Sequence, residues 1–135
     1  MSILIYFILG LLTSLLFPPY FYLPLGFIIF PFLCFLLESN KENYSDKNIF
    51  NKFSIFGFGF FISFLFWIKN PFFVFEETKI FFLVFLLLII LLSVILGLIF
   101  TIIYKLGKKI PIIILIPLMF TSSEYIISVS YTHLR

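Results

Sequence analysis

Charge is scarce in this chain. Only 11% of its 135 residues are charged and 63% are hydrophobic, with a mean hydropathy of +1.25. A soluble domain carries about 25% charged residues, so the composition excludes a water-soluble globule. The few polar residues are gathered into short islands between apolar runs. We therefore predict an all-α membrane fold, a polytopic bundle of about five transmembrane or re-entrant helices.

Cysteine and histidine occur once each, as Cys34 and His133. Cys34 lies inside an apolar run and has no second cysteine to pair with, so we interpret it as inert packing. His133 has no cysteine or histidine near it in the sequence. The G-x-S-x-G, Walker and H-E-x-x-H motifs are absent. We expect no catalytic residue, no cofactor and no metal site in this chain.

Positive charge exceeds negative charge, with a formal net charge of +3. The lysines lie beside apolar segments, where they indicate membrane topology rather than a nucleic-acid surface. We expect membrane phospholipid, and no nucleic acid, as a partner.

The first apolar stretch, Ile3 to Leu37, contains no charged residue and is longer than one crossing of the hydrocarbon layer requires. The adjacent prolines of the Phe17-Pro18-Pro19-Tyr20 sequence interrupt helix formation. They predict helices near residues 2–16 and 22–37. Because the start lacks the features of a cleaved signal peptide, we expect the first helix to be retained. Whether both helices fully cross stays open, since the first is short.

Three more apolar segments follow. The polar island Glu38 to Asn48 is predicted to be a loop, and the third helix runs from about residue 53 to 68. A fourth span covers residues 80–104, and a fifth segment covers residues 110–127. The fourth span ends at a basic sequence, Lys105 to Lys109, whose glycine favours a helix end.

The lysines predict an orientation. If all five segments cross, the loops at residues 38–52 and 105–109 share one side and hold more lysines than the side of Lys69 and Lys79. Positive loops stay in the cytoplasm, so the N-terminus is predicted to be cytoplasmic.

Few polar residues are candidates for chemistry. Glu124 is the one acidic residue within an apolar segment, and an ionisable group at membrane depth is either functional or placed at the interface. Asn70, Glu76 and Glu77 are interpreted as solvated loop residues. Gly57-Phe58-Gly59 is expected to open the third helix and to allow close helix packing.

In order and spacing, these landmarks resemble the N-terminal membrane domain of apolipoprotein N-acyltransferase, a bacterial inner-membrane enzyme. The family shows a proline turn after its first helix, a glycine-rich helix ending in Trp-Ile or Trp-Val, and a P-x-x-W-x-x-x-E-[FY] segment. Phe120 stands at the tryptophan position of that last motif. The matching positions are Phe17, Pro18, Pro19, Tyr20, Gly57, Gly59, Trp67, Pro117, Glu124 and Tyr125.

The resemblance implies a function in lipoprotein biosynthesis. Family members transfer an acyl chain from phospholipid to the N-terminal cysteine of a lipoprotein, using the Glu, Lys and Cys residues of a nitrilase-like domain. Such a domain is missing from these 135 residues, and Cys34 matches no part of its motif. We therefore expect the isolated chain to be inactive, and an apolipoprotein substrate to bind only a full-length protein.

The end of the chain departs from the family pattern. Ile127 occupies a position where the family has arginine, and residues 128–135, SVSYTHLR, resemble a translated adapter sequence. We interpret residues 1–127 as the membrane domain and residues 128–135 as a non-native tail. The alternative to a truncated acyltransferase domain is a non-enzymatic small membrane protein, such as a transporter subunit or an assembly partner.

Overall fold

The computed structural model describes residues 3–18, 20–39, 45–66, 81–106 and 110–132, with the backbone alone for Phe81, Glu124 and residues 126–132. These parts of the chain form five α-helices and no strand, which confirms the all-helical prediction. A short 3₁₀ helix, Leu23–Leu25, precedes the second of them. The helices are α1 (Ile3–Ser14), α2 (Gly26–Glu38), α3 (Asp46–Phe64), α4 (Phe81–Leu106) and α5 (Ile112–Thr132).

The longest helix, α4, is the most apolar. The most apolar 18-residue stretch within Phe82–Leu106 has a mean hydropathy of 3.4, and this helix is the one within the described ranges that is long and apolar enough to cross a membrane. Shorter apolar helices lie at Ile3–Ser14, Leu23–Glu38 and Ile112–Ser123. The prediction that several helices cross therefore remains a prediction.

Helix α3 begins earlier than its apolar pattern indicates. The prediction placed its start near residue 53, but the helix begins at Asp46, after Ser45 in an extended conformation (φ −73°, ψ 149°). The Ser45 carbonyl accepts the N–H of Asn48 at 2.9 Å, and Asp46 in the first turn interacts favourably with the helix dipole. The predicted loop, Glu38 to Asn48, is therefore wrong at both ends, because α3 begins within it and Glu38 is still the last residue of α2.

Helix α3 is the centre of the bundle, with α1 on one side and α4 on the other. The ring of Tyr6 lies 6.0 Å from that of Phe53, and the hydroxyls of Ser14 and Ser63 form a 2.7 Å hydrogen bond. Residue numbers therefore rise together along α1 and α3, so these two helices run parallel. Helix α4 runs antiparallel to α3, because its end, at Lys105, meets Asp46 at the start of α3.

Aromatic rings fill the core between the helices. Phe53, Phe56 and Phe100 are almost completely buried, and the rings of Phe53 and Phe100 lie 4.7 Å apart in an edge-on arrangement. Edge-on pairs of this kind are favourable because the positive edge of one ring meets the negative face of the other. The ring of Phe120 joins this cluster from α5, which brings α5 against both α3 and α4.

The meeting of the α3 start with the α4 end can be checked by crosslinking. The Nζ atom of Lys105 lies 3.4 Å from Oδ2 of Asp46. With Cys34 changed to serine, Asp46→Cys together with Lys105→Cys is expected to crosslink with a short bismaleimide. The pair Phe66→Cys and Lys105→Cys, with Phe66 beyond the other end of α3, serves as the control and is expected not to react. Equal crosslinking of both pairs would contradict the antiparallel arrangement.

Candidate functional site

Phe17, Pro18 and Tyr20 of the Phe17-Pro18-Pro19-Tyr20 sequence lie in a tight turn between α1 and α2, as predicted. The carbonyl of Phe17 accepts the N–H groups of Tyr20 at 3.1 Å and of Phe21 at 3.2 Å. Phe21 has a φ of +52°, a left-handed conformation that a bulky residue rarely adopts. The turn thus places one residue under backbone strain directly after the family motif. Pro19 lies outside the described residues.

The turn is attached to the core by one ring. Phe17 is half-buried, and its ring lies edge-on at 5.5 Å from Phe60 and 5.8 Å from Phe64, at the far end of α3. Pro18 and Tyr20 are exposed. Within the motif, Phe17 therefore holds the turn in place, and Tyr20 is available at the surface.

The two glycines of α3 face different neighbours, and both lie in the middle of the helix rather than at its start. A Cβ atom on Gly57 would lie 3.2 Å from the Cα of Ser93 on α4. A Cβ atom on Gly59 would collide with the carbonyl oxygen of Phe7 on α1. The prediction that these glycines allow close helix packing is confirmed.

Each close approach has a second glycine that the sequence analysis missed. A Cβ on Gly10 of α1 would collide with the carbonyl oxygen of Phe56, and one on Gly97 of α4 would collide with Oγ of Ser54. In the sequence, each of these glycines stands alone within an apolar run, and nothing else marks it as a helix-contact position. Their importance follows from which helices become neighbours, and an isolated glycine in a sequence does not reveal that.

Pro117 and Phe120 lie where α2 and α5 meet. The Phe120 ring is edge-on to Phe30 of α2 at 5.4 Å, to Phe56 at 6.0 Å and to Phe100 at 5.2 Å. The position at which the family carries tryptophan thus links α5 to three other helices. Pro117 is exposed, and it lines a groove between α2 and α5.

This groove has a volume of about 490 Å³ and holds the only cysteine of the sequence. Cys34 is half-buried in the groove wall. Within the described parts of the chain, no group of three or more His, Cys, Asp or Glu residues is placed to hold a metal ion. The lining residues are Phe30, Pro31, Cys34, Ile113, Ile116, Pro117, Phe120 and Thr121.

The remaining candidates are placed only in part. Tyr125 projects from α5 with 69% of its surface exposed. The backbone of Glu124 lies in α5, and its side chain is outside the described residues, so its role stays a prediction. Five candidates lie wholly outside the described residues, namely Trp67, Asn70, Glu76, Glu77 and His133. The interpretation of residues 128–135 as a non-native tail also stays a prediction.

Lys52 is buried, although the topology argument counts it among the loop lysines. It lies within α3 with 7% of its surface exposed, and its Nζ lies 5.5 Å from the centre of the Tyr6 ring. A cation over an aromatic face is attracted by the ring, more strongly when water is excluded. Sequence reasoning missed this contact because Lys52 and Tyr6 are joined only by the α1–α3 pairing.

A double-mutant cycle measures this contact. Lys52→Met and Tyr6→Leu are expected to show a coupling of about 1–2 kcal/mol in unfolding free energy, since the pair is buried. The cycle is read from unfolding by sodium dodecyl sulfate in mixed micelles. Lys47→Met with Tyr6→Leu is the control, because Lys47 is exposed in the same helix, and it is expected to show no coupling. If the losses of unfolding free energy in the two single variants of Lys52 and Tyr6 simply added up in the double variant, the two side chains would not interact as described.

Comparison with known proteins relates the chain to one family. The family model described as the apolipoprotein N-acyltransferase N-terminal domain matches residues 9–134. No curated protein and no solved structure shows a significant match to the chain. The matched range includes the proline turn, both glycines of α3 and the segment of Pro117 and Phe120 whose geometry is described above. Because the match covers nearly all of its length, the chain belongs to the family of apolipoprotein N-acyltransferase N-terminal domains.

Proposed function

We propose that this chain forms the membrane platform of an apolipoprotein N-acyltransferase, which transfers an acyl chain from phospholipid to the N-terminal cysteine of bacterial lipoproteins. The family match over residues 9–134 carries the proposal. In this role the helices hold the catalytic domain against the bilayer and help to shape the opening through which lipid chains reach it. The large exposed apolar side chains on the outer faces of α1, α2, α4 and α5 support a lipid environment.

The proposal includes a multi-pass placement in the bacterial inner membrane with a cytoplasmic N-terminus. Support comes from the alternating directions of the helices, which bring the end of α2, the start of α3 and the end of α4 to one end of the bundle. Exposed Lys47 and Lys105 lie at this end. Positive residues favour the cytoplasmic side, even after buried Lys52 is removed from the count.

We further propose that the 135-residue chain alone does not transfer acyl groups. Acyl transfer by a cysteine needs a thiolate activated by an adjacent base. The only cysteine, Cys34, lines a groove whose other walls are apolar side chains and the hydroxyl of Thr121. Phospholipid-dependent acylation of a diacylglyceryl lipopeptide by the isolated chain in vesicles would contradict this part of the proposal.

A chimera tests the platform itself. Residues 1–127 would replace the corresponding helices of a full-length family enzyme, and lipopeptide acylation would be measured in vesicles. The expected result is retained acylation. A matched chimera in which an unrelated helical bundle replaces the same segment is expected to be inactive. Loss of activity in the first chimera, with correct membrane insertion shown by protease protection, would overturn the proposal.

A further inference from the structure

The turn between α1 and α2 carries three consecutive aromatic side chains at the surface. Tyr20, Phe21 and Tyr22 are each between 56% and 61% exposed. No charged residue lies beside them, because the sequence has none from Ile3 to Leu37. A contiguous exposed surface of large rings without charge marks a place where the protein meets something less polar than water.

The backbone of this turn satisfies its own hydrogen bonds, although it is not an α-helix. The N–H of Tyr22 donates to the Leu15 carbonyl at 2.9 Å, which ties the turn back to the end of α1. The other N–H groups of residues 20–25 donate to carbonyls of residues 17–22 at 2.8–3.2 Å, and Pro24 has no N–H to satisfy. Irregular backbone in a water-poor layer must find its partners within the protein. This turn meets that requirement.

The length of α3 gives the distance between the turn and the charged end of the bundle. Asp46, at the start of α3, pairs with Lys105, and Phe64, at its end, contacts Phe17 of the turn. The 19 residues of α3 span about 28 Å. The hydrocarbon layer of a bilayer is about 30 Å thick. Because charged groups are costly inside that layer, a charged end at one boundary places the turn at the opposite boundary when α3 stands close to the membrane normal.

We propose that the α1–α2 turn is an interfacial anchor, in which Tyr20, Phe21 and Tyr22 insert their rings between the lipid headgroups and the acyl chains. This inference rests on the membrane placement in the proposed function. Tyrosine suits this layer because its ring is apolar while its hydroxyl can hydrogen-bond to the headgroup region. The exposed ring of Phe66, two residues beyond α3, extends the aromatic surface at the same end of the bundle.

Depth-dependent fluorescence quenching tests the anchor. Trp67, the only tryptophan, is replaced by phenylalanine, and Tyr22→Trp provides the reporter in vesicles of phosphatidylethanolamine and phosphatidylglycerol. Separate samples contain phospholipids brominated near the headgroup end or near the tail end of an acyl chain. The expected result is several-fold stronger quenching by the shallow bromines, with little quenching by aqueous iodide.

A reporter on α4 provides the control for depth. Val94 is exposed and lies about 16 Å along α4 from Lys105, near the centre of the hydrocarbon layer. With Trp67 again replaced by phenylalanine, Val94→Trp is expected to show the opposite preference, with stronger quenching by the deep bromines. Equal depth preference at the two positions would contradict the anchor.

Two double variants test whether the rings hold the turn at this depth. In the Tyr22→Trp reporter, Tyr20→Ala with Phe21→Ala removes two exposed rings and is expected to raise iodide quenching several-fold. Leu4→Ala with Ile8→Ala removes two exposed apolar side chains from α1 and is expected to leave the quenching unchanged. All four side chains are exposed, so neither variant opens the core. Unchanged quenching in the turn variant would overturn the anchoring role of the rings.

The remaining outcomes separate this inference from the proposed function. Failure of the chain to float with the vesicles would overturn the membrane placement. If the chain floats but the Tyr22→Trp reporter is quenched by iodide and not by brominated lipid, the turn lies in water and the anchor alone is overturned. Protection from iodide and from both brominated lipids would show that a second copy or another protein domain covers the turn, and would also overturn the anchor.

Discussion

Replacing Gly59 with leucine is expected to separate α1 from α3 and to cause a large loss of stability. A Cβ atom at Gly59 would collide with the carbonyl oxygen of Phe7, and would also lie 3.2 Å from its carbonyl carbon. These are backbone atoms, so the conflict cannot be relieved by rotating a side chain. Overpacking costs typically about 1–3 kcal/mol, and leucine is expected to reach or exceed the upper limit. Unfolding in mixed micelles of sodium dodecyl sulfate provides the measurement.

The series Gly59→Ala, Gly10→Ala and Gly26→Ala separates a steric effect from a general effect of losing glycine. At Gly10 the added methyl group would collide with the Phe56 carbonyl oxygen, as it does with Phe7 at Gly59. At Gly26 its nearest neighbours are side-chain atoms at 3.5–3.7 Å, an ordinary contact. Alanine favours helix over glycine by about 1 kcal/mol, so Gly26→Ala is expected to be neutral or stabilising. Equal losses of stability at all three positions would contradict the conclusion that Gly10 and Gly59 are needed for close approach of the helix backbones.

Phe120→Ala is expected to produce the second large effect. The ring contacts Phe30, Phe56 and Phe100, so its removal loosens α5 from α2, α3 and α4 together. At buried positions, Phe→Ala lowers the free energy of unfolding by about 3–5 kcal/mol. Removal of this half-buried ring is expected to lower it by about 2–3 kcal/mol. The same detergent titration measures it.

Two further variants define the cause of the Phe120 effect. Phe120→Trp keeps an aromatic face at the position where the family carries tryptophan, and is expected to retain most of the stability. Leu118→Ala removes an apolar side chain that is 44% exposed on the same helix, and is expected to have a small effect. If Leu118→Ala were as harmful as Phe120→Ala, the ring contacts would not be the source of the loss.

The order of the helices was predictable from the sequence, because it depends on local properties. Apolar runs without charge mark the segments, and adjacent prolines mark the turn after α1. The motif positions resembling the acyltransferase family were also visible as residue types at characteristic spacings. The family match over residues 9–134 confirms the resemblance to the family, whereas the individual motif positions stay a prediction.

Features that depend on helix pairing were not predictable. The start of α3 was missed because its first turns, from Asp46 to Lys52, are mostly polar, and hydropathy does not detect a polar helix. The burial of Lys52 over Tyr6 and the glycine contacts of α1 and α4 arise only once α3 lies between those helices. The α2–α5 groove likewise exists only because residues far apart in the chain form its two walls.

The parallel pairing of α1 with α3 has a consequence for biosynthesis. The main partner of α1 is not the helix that follows it, so α1 leaves the ribosome well before α3 can receive it. At about 5–20 residues per second, the intervening chain takes several seconds to be made. In the proposed membrane placement, Gly10 and its neighbours on α1 face lipid or the insertion machinery during this interval instead of Phe56. Slower translation between α2 and α3 should therefore prolong the exposure of nascent α1 to membrane chaperones and proteases, whereas a pause that occurs once α3 has also left the ribosome should not.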